Sequence, residues 1–181
     1  MFGVMVCRDQ KGAETVRRAF SGQYNGFWNI AGWVPPLLNA EKFDDIVFDK
    51  DKKIKALGKQ IALLPVDSSR VLVLKKKRKV LSQKLMQDIH RLYQVNNFSG
   101  KTCSLPDAFS EGRGIPTGTG DCCAPKLLNY AAQNGLTPLG LAEFYWGKEN
   151  KSGTRKHGRF YSSCEDKCRP ILGFMLCGLE K

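Results

Sequence analysis

At 181 residues, 42% hydrophobic and 10% aromatic, the chain carries enough apolar material to build the core of one domain of ordinary size. No run approaches the roughly 18–20 consecutive apolar residues of a membrane-spanning helix, and residues 1–7 are too short for a signal peptide, so a cytoplasmic protein with no membrane partner is expected. The 29 Lys and Arg outweigh 17 Asp and Glu to leave a formal charge of +12, and their clustering points to nucleic acid as a partner, against the simpler reading of charge as an aid to solubility.

Residues 2–7 are β-branched and aromatic, residues 8–12 supply turn chemistry, and residues 14–20 alternate polar and apolar, which together predict an N-terminal β-hairpin. A chain that opens directly on a strand reads as one cut from something longer. In residues 24–38, Phe27, Trp28, Trp33, Pro35 and Pro36 stand among Gly and Asn, as in an irregular segment that packs aromatics over a sheet or offers them to bases as a stacking platform. Two helices are predicted next, over 50–64 and from 71 to about 95, parted by the Pro, Asp and Ser of residues 65–69. Leu74, Leu81, Leu85, Ile89 and Leu92 form one stripe of the second, while Lys75, Lys76, Lys77, Arg78, Lys79 and Lys84 fill its other faces. Such a helix packs by one side and shows cations on the other, either as a solvated face or as a nucleic-acid-binding surface for phosphates. Residues 101–120, rich in Gly, Ser, Thr and Pro, read as a long surface loop.

The cysteines carry the chemistry. Seven of them in a reducing compartment favour metal ligation or buried thiols over a disulfide framework. Cys122 and Cys123 precede Pro125 at a predicted helix start that runs to Gly135, and an apolar strand over 139–146 follows. Strand, helix and strand in that order ordinarily place the strand parallel to its neighbour. Cys164 and Cys168 then open a last helix that runs to Cys177. Three thiols at two helix starts suit Zn²⁺, because the positive end of a helix favours thiolate and zinc takes thiolates in tetrahedral geometry. Cys122, Cys164 and Cys168 are the candidate metal ligands, with Cys123 and His157 in reserve. Cys7 and Cys177 read as core thiols and Cys103 as a spare loop thiol.

Cys122-Cys123-Ala124-Pro125-Lys126, with Ser163-Cys164 and Cys168-Arg169-Pro170, resembles the two zinc motifs of the cytidine-deaminase-like fold. A fuller resemblance, over blocks that span nearly the whole chain, is to the accessory module N-terminal to the catalytic domain in a subset of large ribosomal and transfer RNA pseudouridine synthases. The blocks are Phe2-Gly3-Val4-Met5-Val6, Ala19-Phe20-Ser21-Gly22, Gly32-Trp33-Val34-Pro35-Pro36, residues 120–128, residues 141–147 and residues 168–173. The resemblance implies zinc as cofactor, ribosomal or transfer RNA as partner and a pseudouridine synthase in company. It also implies a lapsed site, since Ala124 occupies the place of the deaminase acid and the second cysteine pair is spaced by three residues where two are usual. Asp121, Glu143 and Glu165 are the carboxylates that could substitute. The synthase's own His-Arg-Leu-Asp motif is echoed by His90-Arg91-Leu92, but Tyr93 stands where the Asp nucleophile is needed, so no catalytic residue is assigned.

The expected architecture is a single domain over residues 1–181: an α/β sandwich of two or three layers, with a small mixed sheet, flanking helices and a long basic helical insertion at about 50–95. The expected function is that of an RNA-binding zinc module. The alternatives are an active zinc-dependent base or nucleoside deaminase or hydrolase, and a structural metal domain that binds protein.

Overall fold

A computed structural model describes residues 1–112, 114–150 and 152–179. They fall into two compact units, Met1–Leu37 with Tyr93–Lys181, and Leu38–Leu92.

The first unit is built on the N-terminal hairpin, β1 (Phe2–Arg8) and β2 (Glu14–Phe20), where the sequence predicts one. Asp9 closes its turn by accepting from the backbone N–H groups of Lys11 and Ala13 through Oδ1, at 2.8 and 2.9 Å. Two short strands, β3 (Gln94–Asn96) and β4 (Thr102–Ser104), form a separate antiparallel pair, and the single-turn helix α3 (Leu105–Ala108) follows directly. Next come α4 (Cys123–Gln133), β5 (Thr137–Phe144), β6 (Phe160–Tyr161) and α5 (Arg169–Leu176).

The main sheet has strand order β2-β1-β5-β6, and each pairing in it is antiparallel. The mixed sheet and the parallel crossover expected around the cysteine helix are therefore corrected. The cause is connectivity. The strand nearest before α4 in the chain, β4, pairs with β3 elsewhere, and β5 instead lies beside β1, so no single helix links two neighbouring strands. α4 packs flat on the sheet, and Gly3 allows this: a β-carbon there would sit 2.5 Å from Cys123 Cβ. Met5, Cys7, Ala19 and Leu127 are buried in this layer.

Further expectations fail on local chemistry. The second long helix ends at His90, before Val95, which belongs to β3 with 0% exposure. The 101–120 segment is not all loop, because Ser104 caps α3 and Leu105, Ala108 and Phe109 are buried. Cys103 consequently lies in β4, half-buried. Cys7 is core as expected, whereas Cys177 is exposed, because it caps the C-terminus of α5 where the chain turns away. Tyr93 lies outside the basic helix, 3% exposed, and donates from its hydroxyl to Asp121 Oδ1 at 2.7 Å.

The second unit is a helical hairpin, α1 (Ala40–Ala62) and α2 (Ser69–His90). α1 starts ten residues earlier than the first predicted helix, where Asn39 Oδ1 accepts from the Lys42 N–H at 3.1 Å. Phe43, Val47, Lys50, Ile54, Leu57, Ile61 and Leu64 are withdrawn from solvent at alternating steps of four and three, and Val71, Leu74, Leu81, Leu85, Asp88 and Leu92 follow the same heptad rhythm. That is a coiled-coil seam containing a polar layer, in which Lys50 Nζ donates to Asp88 Oδ2 at 2.6 Å. The hydrogen bond to Lys50 holds the Asp88 carboxyl below the usual range. The hairpin closes at its base, where the Asn39 N–H donates to the Leu92 carbonyl at 3.1 Å, and in the first unit the Gln94 N–H donates to the Leu37 carbonyl at 3.0 Å. Among the described residues no helix is long and apolar enough to cross a membrane.

Candidate metal centre

Cys122 is the N-cap of α4 and Cys168 the N-cap of α5. Neither side chain caps its own helix, which leaves both sulfurs free to turn toward each other. Cys164 sits one turn before α5, its carbonyl accepting from the N–H groups of Cys168 and Arg169 at 3.2 Å. Cys122 and Cys164 Sγ lie 3.7 Å apart and Cys164 and Cys168 Sγ 3.3 Å, and the three sulfurs all fall within 4.8 Å of one another. The cluster can hold a metal ion, and among the described residues it is the one group of His, Cys, Asp and Glu side chains so arranged. Tetrahedral zinc with Zn–S bonds of about 2.3 Å sets its sulfurs about 3.8 Å apart, so the donor set and its spacing are compatible with zinc.

The sulfurs are poised for ligation as a group. A hydrogen bond from the Cys168 thiol, joined by one from Cys164, brings Cys122 down to about 7 against the opposing effect of burial. The same bond to Cys122, with burial, pushes Cys168 up. A cation held among the three sulfurs would displace their thiol protons.

The reserve ligands are elsewhere. Cys123 is fully buried, with Sγ 3.3 Å from Ser21 Oγ and 3.5 Å from the Ala19 carbonyl, and burial pushes its thiol up to about 12. It faces the sheet because successive residues at a helix start point about 100° apart, so once Cys122 turns to the cluster its neighbour turns away. His157 accepts from the Gly147 N–H through Nδ1 at 3.2 Å, and its ring lies 4.2 Å from that of Trp146. It is not part of the sulfur group.

Of the three carboxylates, Glu143 is the one drawn into the site. It is 5% exposed on β5, its Oε1 accepts from the Ala124 N–H at 2.9 Å, and its Oε2 accepts from Ser163 Oγ at 3.4 Å. It therefore ties together the segments that carry Cys122 and Cys164. A pocket of about 400 Å³ opens beside it, lined by Leu141, Ala142, Glu143, Phe160, Ser162 and Ser163. Asp121 is engaged by Tyr93, and burial pushes its carboxyl up. Glu165 is exposed beside Arg169.

Lys126 was not singled out by its sequence context. It is 1% exposed, and Nζ donates to the carbonyls of Phe20 and Gly22 at 2.9 and 2.8 Å while lying 4.8 Å from the Phe20 ring centroid. Burial lowers its ammonium pKa. A lone Lys in an apolar helix turn is the signal that could have found it.

The candidate nucleic-acid-binding residues belong to α2. Lys75, Lys76, Lys77, Lys79 and Lys84 are exposed along it. Arg78 takes the heptad position facing α1, with Nη1 3.6 Å from where a Gly58 β-carbon would stand. Comparison with protein-family models, with curated proteins and with solved structures finds no match to this chain.

Proposed function

We propose that the chain is a zinc-binding, deaminase-like module whose catalytic role has lapsed, and that it serves RNA pseudouridine synthesis as a cytoplasmic RNA-binding accessory, with ribosomal or transfer RNA as target and a pseudouridine synthase as partner. The observation that carries this reading is the meeting of Cys122, Cys164 and Cys168 at two helix starts, with Ala124, which cannot hold a proton, two positions after the first ligand. Zinc held there would tie the start of α4 to the turn before α5, and would serve as a Lewis acid only with a coordination position left open. The RNA component draws on the +12 charge and on the exposed lysines of α2.

Metal analysis of the purified protein is expected to return about one equivalent of zinc, falling below about half in Cys164→Ser. Affinity for structured RNA is expected to fall steeply with salt and to weaken in Lys76→Glu with Lys79→Glu. Binding indifferent to salt would remove the RNA component, and zinc without RNA affinity would leave a structural metal domain that contacts protein.

A second reading, an active deaminase of a base or nucleoside, is favoured by Glu143. A buried carboxylate beside the cluster and a pocket could carry a proton from attacking water to the departing amine, with ammonia released. Ammonia release that disappears in Glu143→Gln while zinc is retained would replace the first reading with this one.

A further inference from the structure

Phe2 pairs with Phe20 on one side and Phe144 on the other, and Phe144 pairs with Phe160. Residues directly opposite in antiparallel strands share a face, so one phenylalanine from each strand forms a row across one end of the main sheet. The neighbouring residue of β1, Gly3, faces α4. Strand alternation therefore puts the row on the opposite face, away from α4.

Cover on that face comes from the aromatic segment after β2, and it is incomplete. Trp33 lies with its ring centroid 5.7 Å from those of Phe2 and Phe20, and Tyr24 lies 6.4 and 6.0 Å from them. Phe144 and Phe160 continue the row, 6.1 Å from Phe2 and 6.0 Å from each other. Yet Phe160 is 71% exposed, Tyr24 48% and, farther along the same face, Val16 57%. Phe2, Phe20, Tyr24, Ile30 and Trp33 enclose a pocket of about 280 Å³. The charges around this surface are mainly positive. Arg18, opposite Val4 on the same face, holds its guanidinium 6.0 Å over the Trp33 ring. The β5–β6 connection that leads into Phe160 is basic in sequence, with Lys148, Arg155, Lys156 and Arg159 against Glu149, while Arg155 itself lies over the Tyr161 ring at 4.3 Å, on the other face. At the far end Arg8 is paired with Glu14 at 3.2 Å.

We propose that this uncovered sheet face is a platform for single-stranded RNA. Bases stack on Phe160 and Tyr24 and enter the pocket against Trp33, while Arg18 meets phosphates. Exposed aromatic faces interleaved with arginine suit unpaired bases, whose π-faces are free, and not a duplex, whose bases are already stacked. The inference rests on the RNA reading above and gives it a surface distinct from α2.

The test measures fluorescence anisotropy of a short labelled oligouridylate, and of a duplex of equal length, with the full chain at low salt. The single strand is expected to bind more tightly than the duplex. Phe160→Ala and Tyr24→Ala should each weaken it by roughly five- to a hundredfold, and Phe160→Trp should retain it. Both side chains are substantially exposed, so zinc content and melting temperature should hold in each variant. If Lys76→Glu with Lys79→Glu abolishes binding while the aromatic variants bind as before, the RNA reading stands and the platform falls. If neither RNA binds, both fall. Self-association lost in Phe160→Ala, without RNA binding, would make the face an interface between two copies and overturn the proposal.

Discussion

Lys126 turns its ammonium into the protein, where it binds the carbonyl of the last residue of β2 and another two residues on, and faces an aromatic ring. Lys126→Met would fill similar volume but leave those carbonyls without their donor. The expected loss is about 1–3 kcal/mol, read from urea unfolding. Cys123 allows a sharper check of the metal assignment. Because its sulfur contacts Ser21 and Ala19, Cys123→Ala should keep a full zinc complement, whereas Cys122→Ala should lose it. At this scale the sequence was informative where chemistry is compact. The three clustered sulfurs were legible because helix-start signals such as Pro125 and Pro170 flank them. Glu143 and Lys126 could be seen only as polar residues in apolar runs, since their partners lie 19 and about a hundred residues away in the chain.

Among the elements, the hairpin and the helical pair were readable from residue pattern and turn chemistry, apart from the first ten residues of α1, and the short pieces were not. β3, β4 and α3 span three or four residues each, too few to show a period, and their burial comes from neighbours such as Asn129, whose Oδ1 accepts from the Asn96 N–H at 2.8 Å. The antiparallel placement of β5 depends on β1, more than a hundred residues earlier, and no local pattern encodes it. Within the coiled coil, the Lys50–Asp88 layer sets register. Lys50→Leu alone should lower the melting temperature, because Asp88 then keeps only its 3.6 Å ion pair with Arg91, and adding Asp88→Leu should recover most of it. His90, in the last turn of α2, is 7% exposed, its Nε2 has no hydrogen-bond partner among the described residues, and burial holds its imidazole below the usual range. The unfolded chain takes up a proton as pH drops through about 6.5 while the folded one does not, so folding stability falls with pH in that window and levels off below the folded pKa. Thermal melts between pH 8 and 5 should show a shallower decline in His90→Gln, with those pH values chosen to span about 6.5.

For the molecule as a whole, two compact units imply two separable stabilities. If the proposed zinc is bound, a chelator should expose the amides of α4 and α5 to hydrogen exchange while leaving those of α1 and α2 protected, because the candidate ligands all belong to the first unit. Zinc present at a thousandfold its dissociation constant stabilises the unit that binds it by about 4 kcal/mol, enough to separate the two transitions. The paired hydrogen bonds at Leu37–Gln94 and Asn39–Leu92 have an engineering consequence. Within the first unit, Leu37 and Gln94 are hydrogen-bonded neighbours, so the helical hairpin between them can be cut out as a cassette. A few glycines in its place would close a gap that is already short, at small entropic cost. The shortened protein should still fold and bind zinc, and the same socket could accept a different hairpin.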